Sequence, residues 1–272
     1  MNNIKRLAII GAGNIGTSIA NGLLDAAVYQ PHELTLTRKK IHLLESFRER
    51  GCNVDSDNLK AIDKSDIILI AVEPQQFDTL MKDVQADLSD AGKIIISVVS
   101  GVGIKKIKDK LADNTPVVRA MPNTAIAVRE SMTCIAACEG DYQALETAKK
   151  IFDTVGLTLV IDEEQMTAAT ALGACGIAFF LRAIRAASQG GIEIGFHSHD
   201  ALHIAAQTAK GAASLLQKMK KHPEFEVDNV TTPRGCTISG LNQLEHEGFS
   251  SAMIKGIVVS AEKAARLYQS DK

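Results

Sequence analysis

Leu7-Ala8-Ile9-Ile10 is an apolar run. It is followed by Gly11-Ala12-Gly13-Asn14-Ile15-Gly16, which has the pattern G-x-G-x-x-G, and then by residues with helical spacing. In such a strand–turn–helix unit, Gly11 allows the tight turn, Gly13 lets the backbone approach a pyrophosphate, and Gly16 allows close helix–strand packing. Free N–H groups at the helix start, where Asn14 and Ile15 lie, bind phosphate with help from the helix dipole. The stretch therefore predicts a dinucleotide-binding turn, and the alternative is a plain strand-to-helix turn.

The pattern of short strands and helices continues outward from this turn to about residue 160. The predicted strands are Arg6–Ile10, Glu33–Leu36, Ile67–Ala71, Lys93–Val99, Val117–Arg119, Met132–Ala136 and Leu157–Ile161. The predicted helices include Asn14–Ala27, Lys39–Arg50, Gln75–Leu88 and Tyr142–Val155. Strands that alternate with helices indicate βαβ units and a mainly parallel, doubly wound sheet of the Rossmann type.

The strand signal ends after Asp162, and the rest of the chain has helical spacing. The predicted helices there are Thr167–Gln189, Asp200–Lys221, Leu241–Glu247 and Ser251–Tyr268. Thr167–Gln189 is apolar on nearly every side, so we expect it to be buried within its domain or between subunits. The sequence thus predicts an α/β Rossmann domain over residues 1–162 and an all-helical domain over residues 163–272.

Composition excludes several classes of protein. The chain has 272 residues and a formal net charge of −2, whereas nucleic-acid binders usually carry a basic excess. Its five cysteines include no CxxC pair and are odd in number, which favours a reducing compartment over a disulfide framework. We see no signal peptide and no apolar stretch of the roughly 20 residues that span a membrane. We therefore expect a soluble cytoplasmic protein that binds neither nucleic acid nor membrane.

Three histidines form the pattern H-x-H-x3-H at His197, His199 and His203. Only His199 and His203 would share a helical face, and no cysteine or further carboxylate cluster accompanies them. We therefore interpret them as solvated side chains and predict no metal site.

The second predicted strand leads into Thr37, Arg38 and Lys39. Sites specific for NAD usually carry an acidic residue about 20 residues after the glycine motif, where it binds the ribose 2′-hydroxyl. No carboxylate occupies this position here, and the two cations are suited to a 2′-phosphate. We predict that NADP(H) is preferred and that NAD(H) is possible; the alternative is that these cations merely start a solvated helix.

Four further motifs point to one family. They are AVEPQ at residues 71–75, RAMPNTA at 119–125, TALGACG at 170–176 and TTPRGCTISGL at 231–241. In order and spacing they resemble the segments AVKPQ, R-x-MPNTP, T-x-LSGSG and TSPGGTT-x-x-GL of the pyrroline-5-carboxylate reductases. The resemblance implies NAD(P)H-dependent reduction of 1-pyrroline-5-carboxylate to L-proline, a step of proline biosynthesis. It also implies that the C-terminal helices form a homodimer, which often assembles further into a decamer.

Matching positions suggest a role for individual residues. The resemblance implies that Asn58 contacts the adenosine half of the cofactor, that Ala71, Val72 and Pro74 line the cofactor cleft, and that Met121 and Asn123 lie near the nicotinamide and the substrate. It implies that Gly235, Cys236 and Thr237 hold the substrate carboxylate and that the catalytic Thr170 lies near the ring nitrogen. The alternatives are that Thr237 caps a helix and that Thr170 bonds its own backbone.

The substrate segments depart from the family pattern. Gly173-Ala174-Cys175-Gly176 lacks the serines of SGSG, and Arg234 stands where a glycine is usual. Two other functions therefore stay open: a related reductase for another cyclic imino acid, and a non-catalytic NADP-binding regulator. A β-hydroxyacid dehydrogenase is disfavoured, because its catalytic lysine is missing after residues 173–176.

Overall fold

The structure is a computed structural model that describes residues 6–89 and 92–266. Residues 1–5 of the predicted Rossmann domain, residues 90 and 91, and residues 267–272, which include the end of the predicted helix Ser251–Tyr268, lie outside the described residues. Contacts divide the chain into two compact units: one contains the residues up to Cys175 and those from Ser260 onward, and the other is Gly176–Val259.

The first unit contains one sheet of eight strands in the order β3-β2-β1-β4-β5-β6-β7-β8. The strands are β1 (Leu7–Ile10), β2 (Leu34–Thr37), β3 (Asn53–Asp55), β4 (Ile67–Ile70), β5 (Ile94–Ser97), β6 (Val117–Met121), β7 (Ser131–Ala137) and β8 (Gly156–Val160). Neighbouring strands are parallel except for the antiparallel pair β6 and β7. The predicted, mainly parallel sheet is confirmed.

Helices cover both faces of this sheet. They are α1 (Asn14–Asp25), α2 (Glu45–Glu49), α3 (Asn58–Asp63), α4 (Pro74–Leu88), α5 (Ile104–Lys108), α6 (Tyr142–Asp153) and α7 (Met166–Ala169). One apolar cluster joins Ile9 to Ile19 and Phe152, while the opposite cluster joins Ile10 to Phe77. Strands buried on both faces explain the apolar runs without alternation in β1, β4 and β5.

The two compact units divide after Cys175, so residues 163–175 belong to the sheet unit. The domain boundary suggested by the sequence lies earlier, after Asp162. The reason is packing: Met166 is fully buried in one apolar cluster of the sheet, and Ala169 and Ala174 pack against it. A π-helical stretch, Thr170–Cys175, follows α7.

Several short elements were not predicted. β3 contains Asn53 and Asp55, which are poor strand formers, and it pairs with β2 in parallel. The predicted helix Lys39–Arg50 is instead a 3₁₀ turn at Ile41–Leu44 followed by the short α2. α3 and α5 are short helices without a full period of apolar spacing.

The second unit is helical, as predicted. Its elements are α8 (Gly176–Glu193), α9 (Ser198–Met219), α10 (Pro223–Asn229), α11 (Cys236–His246) and α12 (Phe249–Arg266), the last of which ends in the first unit. α8 and α9 approach closely, since a Cβ added at Gly191 would lie 3.1 Å from the Ala201 Cβ. Large apolar side chains nevertheless remain exposed in this unit, including Phe180 and Leu181 on α8.

Candidate active site

The glycine turn between β1 and α1 has the geometry that the motif predicts. Gly11 has φ +80°, and a Cβ there would lie 2.4 Å from the Val72 Cγ1. A Cβ at Gly16 would lie 3.0 Å from the Ile9 Cγ2, which explains the close packing of helix on strand. The space around Gly13 is open, since the nearest atom to an added Cβ is the Gly11 carbonyl oxygen at 3.9 Å.

The first turn of α1 offers backbone donors to a ligand. Within the described part of the chain, no side chain caps this helix at Gly13, and its first turn carries no acidic residue. Asn14 is exposed and Ile15 is half-buried. Unsatisfied N–H groups at the positive end of a helix form a ready anion site, which suits the predicted pyrophosphate.

The end of β2 lies beside this turn. The Thr37 hydroxyl donates to the Asn58 Oδ1 at 2.7 Å, and the Ala12 N–H donates to the Thr37 carbonyl oxygen at 2.8 Å. The Arg38 Nη1 lies 3.5 Å from the Ala12 carbonyl oxygen, while Lys39 is exposed. The structure thus brings Thr37, Arg38 and Asn58 together at the glycine turn.

The segment after β4 borders the same turn. The Ala71 N–H donates to the Ile10 carbonyl oxygen at 2.8 Å, Val72 contacts Gly11, and Pro74 is the first residue of α4. The strand order reverses between β1 and β4, and ligands of open α/β sheets bind at such a point, beyond the carboxyl ends of the strands.

A second group of predicted residues lies at the end of β6 and on the helix after Asp162. Met121 ends β6 and is buried. The Asn123 Nδ2 donates to the Gly173 carbonyl oxygen at 3.2 Å, and its Oδ1 accepts from the Ala125 N–H at 3.0 Å. The Thr170 hydroxyl donates to the Met166 carbonyl oxygen at 2.8 Å. Thr170 therefore bonds its own backbone, and its oxygen keeps lone pairs for a further donor.

The predicted carboxylate site belongs to the other compact unit. Gly235 precedes α11 in extended conformation, and its N–H donates to the Thr232 carbonyl oxygen at 2.9 Å. A Cβ at Gly235 would lie 2.5 Å from the Thr232 Oγ1. Among the described residues no side chain caps α11, so Thr237 is not its cap. Cys236 and Thr237 thus present the first N–H groups of the helix without a side-chain partner from the N-cap residue.

The described residues include no group of three or more histidine, cysteine, aspartate or glutamate side chains placed to hold a metal ion. One helical segment, Glu163–Glu193, is long and apolar enough to cross a membrane by length and composition, whereas we expected no stretch of this kind from the sequence. A single such helix is weak evidence for a membrane span, because helices that pack in soluble proteins have the same composition.

Comparisons with known proteins match both units. Residues 163–267 match a family model described as pyrroline-5-carboxylate reductase dimerisation, and residues 6–101 match one described as NADP oxidoreductase coenzyme F420-dependent. Pyrroline-5-carboxylate reductase 2 of Dictyostelium discoideum is 47% identical over 98% of this chain and 94% of its own length. The chain belongs to the pyrroline-5-carboxylate reductase family.

Other members of the reductase family agree. Pyrroline-5-carboxylate reductase 1 of Dictyostelium discoideum is 50% identical over 96% of this chain, which spans half of that relative's length. The crystal structure of Plasmodium falciparum pyrroline carboxylate reductase with NADP bound superposes with a TM-score of 0.87, at 25% identity and over 98% of this chain and 99% of that one. The predicted family and fold class are confirmed.

One ion pair of this reductase-family chain, between the buried Arg119 and the half-buried Glu163, has no counterpart among the predicted site residues. The Arg119 Nη1 lies 3.4 Å from the Glu163 Oε1, and this oxygen also accepts from the Ile104 N–H at 2.6 Å. Burial lowers the pKa of the Arg119 guanidinium, and the Glu163 carboxylate opposes part of that shift. The sequence shows a single arginine within the apolar strand β6, which indicates that this cation needs a partner. It does not show which carboxylate is that partner.

Proposed function

We propose that this chain reduces 1-pyrroline-5-carboxylate to L-proline by hydride transfer from NADPH. The near-full-length match to a named reductase at 47% identity is the observation that carries the proposal. The family assignment makes the chain an oxidoreductase, and the glycine turn with Arg38 beside it supports the use of NADP(H).

The chemistry asks little of the side chains. The nicotinamide supplies the hydride when it is bound, and the protein supplies position and electrostatics. A protonated imine is already electrophilic, so neither a nucleophile nor a metal ion is needed. The Thr170 hydroxyl hydrogen is engaged by the Met166 carbonyl, so Thr170 serves as an acceptor for the N–H of the protonated imine or of the product amine. The N–H groups at the start of α11 and the Thr237 hydroxyl hold the substrate carboxylate.

The proposal extends to assembly and location. The dimerisation family model over residues 163–267 supports an oligomer. Association with another subunit would also bury the exposed apolar side chains of α8. We propose a homodimer in the cytoplasm, with a decamer built from dimers as the larger form, and with neither nucleic acid nor membrane as partner. Helix Glu163–Glu193 then buries its apolar residues against protein rather than lipid.

One observation favours a second substrate. Arg234 is exposed and has φ +60°, in a turn where the family carries glycine. A non-glycine residue in this conformation is strained, and such strain often marks function. A related imine reductase that acts on a more acidic cyclic imino acid would use this cation, since it stands directly before the proposed carboxylate site.

The deciding experiment mixes purified protein and NADPH with five- and six-membered cyclic imino acids, and follows NADPH absorbance. Turnover of 1-pyrroline-5-carboxylate with formation of proline supports the main proposal. If Arg234→Gly improves that turnover and a more acidic imine is preferred by the wild type, the second function is correct. Tight NADPH binding without turnover of any imine contradicts both and favours the non-catalytic regulator.

A further inference from the structure

Thr170 begins an uncommon piece of backbone. Residues Thr170–Cys175 form a π-helical stretch between α7 and α8. Such stretches are rare, and they occur inside α-helices frequently at functional sites. Neighbouring elements must hold such a rarely populated backbone conformation in place. The contacts that other elements make to this stretch therefore indicate its role.

Asn123 makes such a contact. Its Nδ2 donates to the Gly173 carbonyl oxygen at 3.2 Å, in the middle of the stretch, while its Oδ1 accepts from the Ala125 N–H at 3.0 Å. The side chain is buried, and the Ser131 hydroxyl fixes its backbone by accepting from the Asn123 N–H at 3.2 Å. Both ends of the amide are therefore engaged within the protein, so Asn123 joins the turn after β6 to the π-helical stretch.

A second contact holds the start of the same helical segment. The Glu163 Oε1 lies 3.4 Å from the Arg119 Nη1 and accepts from the Ile104 N–H at 2.6 Å. Arg119 and Asn123 both come from β6 or the residues directly after it. Thr170 thus lies between two points, Glu163 and Gly173, at which its helical segment is tied to the same part of the sheet.

We infer that Asn123 is a positioning residue, which holds the π-helical stretch so that Thr170 keeps the orientation needed for its hydrogen bond to the substrate nitrogen. The inference rests on the proposed function, because it takes the role of Thr170 from there. It assigns to Asn123 an effect on the reaction through Thr170 and not through the cofactor.

The test uses Asn123→Ser, whose hydroxyl still caps the Ala125 N–H but is too short to reach Gly173. We expect kcat to fall about fivefold to tenfold, which is the loss of one hydrogen bond, while the Kd for NADPH stays within about twofold. Asn53→Ser is the matched control, because the Asn53 Nδ2 also donates to a carbonyl oxygen, that of His32, at 2.9 Å. This control should change neither quantity.

A double-mutant cycle separates positioning from general damage. If Asn123 acts through Thr170, Asn123→Ser should add little to the loss already caused by Thr170→Val, since coupled residues are not additive. Losses in kcat that multiply, or a weaker NADPH affinity with kcat intact, would overturn the inference.

Hydrogen–deuterium exchange tests the same contact without activity. Amides of Thr170–Cys175 should exchange faster in Asn123→Ser and at the wild-type rate in Asn53→Ser. Unchanged exchange refutes the inference even if no imine is turned over, whereas faster exchange in a protein without turnover refutes the proposed function alone. If Asn123→Ser does not fold, Asn123→Asp retains the Oδ1 that caps Ala125, and the same criteria apply to it.

Discussion

The two cations after β2, Arg38 and Lys39, are the residues that we expect to set the preference for NADPH over NADH. Arg38 lies beside the glycine turn and Lys39 is exposed next to it. Replacing both by alanine should raise the KM for NADPH about tenfold or more while the KM for NADH changes little, because only the former carries a 2′-phosphate for a charge-assisted hydrogen bond. Steady-state kinetics with both cofactors measures this, and Lys40→Ala is the matched control. An equal rise for both cofactors would show that these residues do not bind the 2′-phosphate.

Tyr29 gives the fold a dependence on alkaline pH. Burial, with smaller contributions from the nearby Glu33 and Asp66 carboxylates, raises the pKa of this phenol from 10.0 to about 12. The folded state thus favours the neutral phenol, so its contribution is complete below about pH 10 and is lost as the pH rises towards 12.

The corresponding prediction compares Tyr29→Phe with the wild type. Between about pH 10 and 12, the free energy of unfolding of the wild type should fall by about 2–3 kcal/mol more than that of the variant. Urea denaturation at several pH values measures the difference. The idea fails if the two curves stay parallel across this range.

The individual residues also show what a sequence can reveal. The positive φ of Gly11 follows from a local requirement, the tight turn of the glycine motif, so the sequence was sufficient to predict the turn. The pair Arg119–Glu163 joins residues that are 44 positions apart, and nothing local indicates which carboxylate an isolated arginine will meet. The bond from Asn123 to Gly173 is hidden for the same reason.

At the scale of elements, the start of α11 is the proposed carboxylate anchor. Removing one hydrogen bond to a charged group costs about 1.5–3 kcal/mol. Thr237→Val should therefore lower kcat/KM for 1-pyrroline-5-carboxylate about tenfold to a hundredfold and leave NADPH affinity nearly unchanged. Thr231→Val is the control, since the Thr231 hydroxyl donates to the Val227 carbonyl oxygen. A loss of the same size in the control would assign the effect to the fold of this turn rather than to the substrate.

The elements divide into those that the sequence predicts and those that it does not. β1, β4 and β5 are apolar runs that need no partner to be recognised. β3 is a strand through its pairing with β2, which overrides the weak propensity of its residues. The amino-acid composition of Thr170–Cys175 does not distinguish a π-helix from an α-helix, so the sequence predicted an ordinary helix there.

At the scale of the whole molecule, the exposed apolar surface of the helical unit requires an explanation. Phe180, Leu181 and Ile204 are 62%, 58% and 47% exposed in the single chain. Burial of apolar surface contributes about 25 cal/mol per Å², so covering several such side chains favours association. The dimerisation family model over residues 163–267 supports a second copy of the chain as the partner that we propose.

We therefore expect the purified protein to have a mass of two chains of 29.1 kDa or more by light scattering at micromolar concentration. Phe180→Glu with Leu181→Glu should shift it towards the monomer, because a dimer interface would then bury unpaired charges. Leu43→Glu is the matched control: Leu43 is 47% exposed and lies in the sheet unit, so the assembly should not change. A wild-type monomer with intact helical content would contradict the dimer. If the protein could be purified only with detergent, the apolar helix Glu163–Glu193 would instead be assigned to a membrane. Lipid and a second subunit are the two surfaces able to cover this helix.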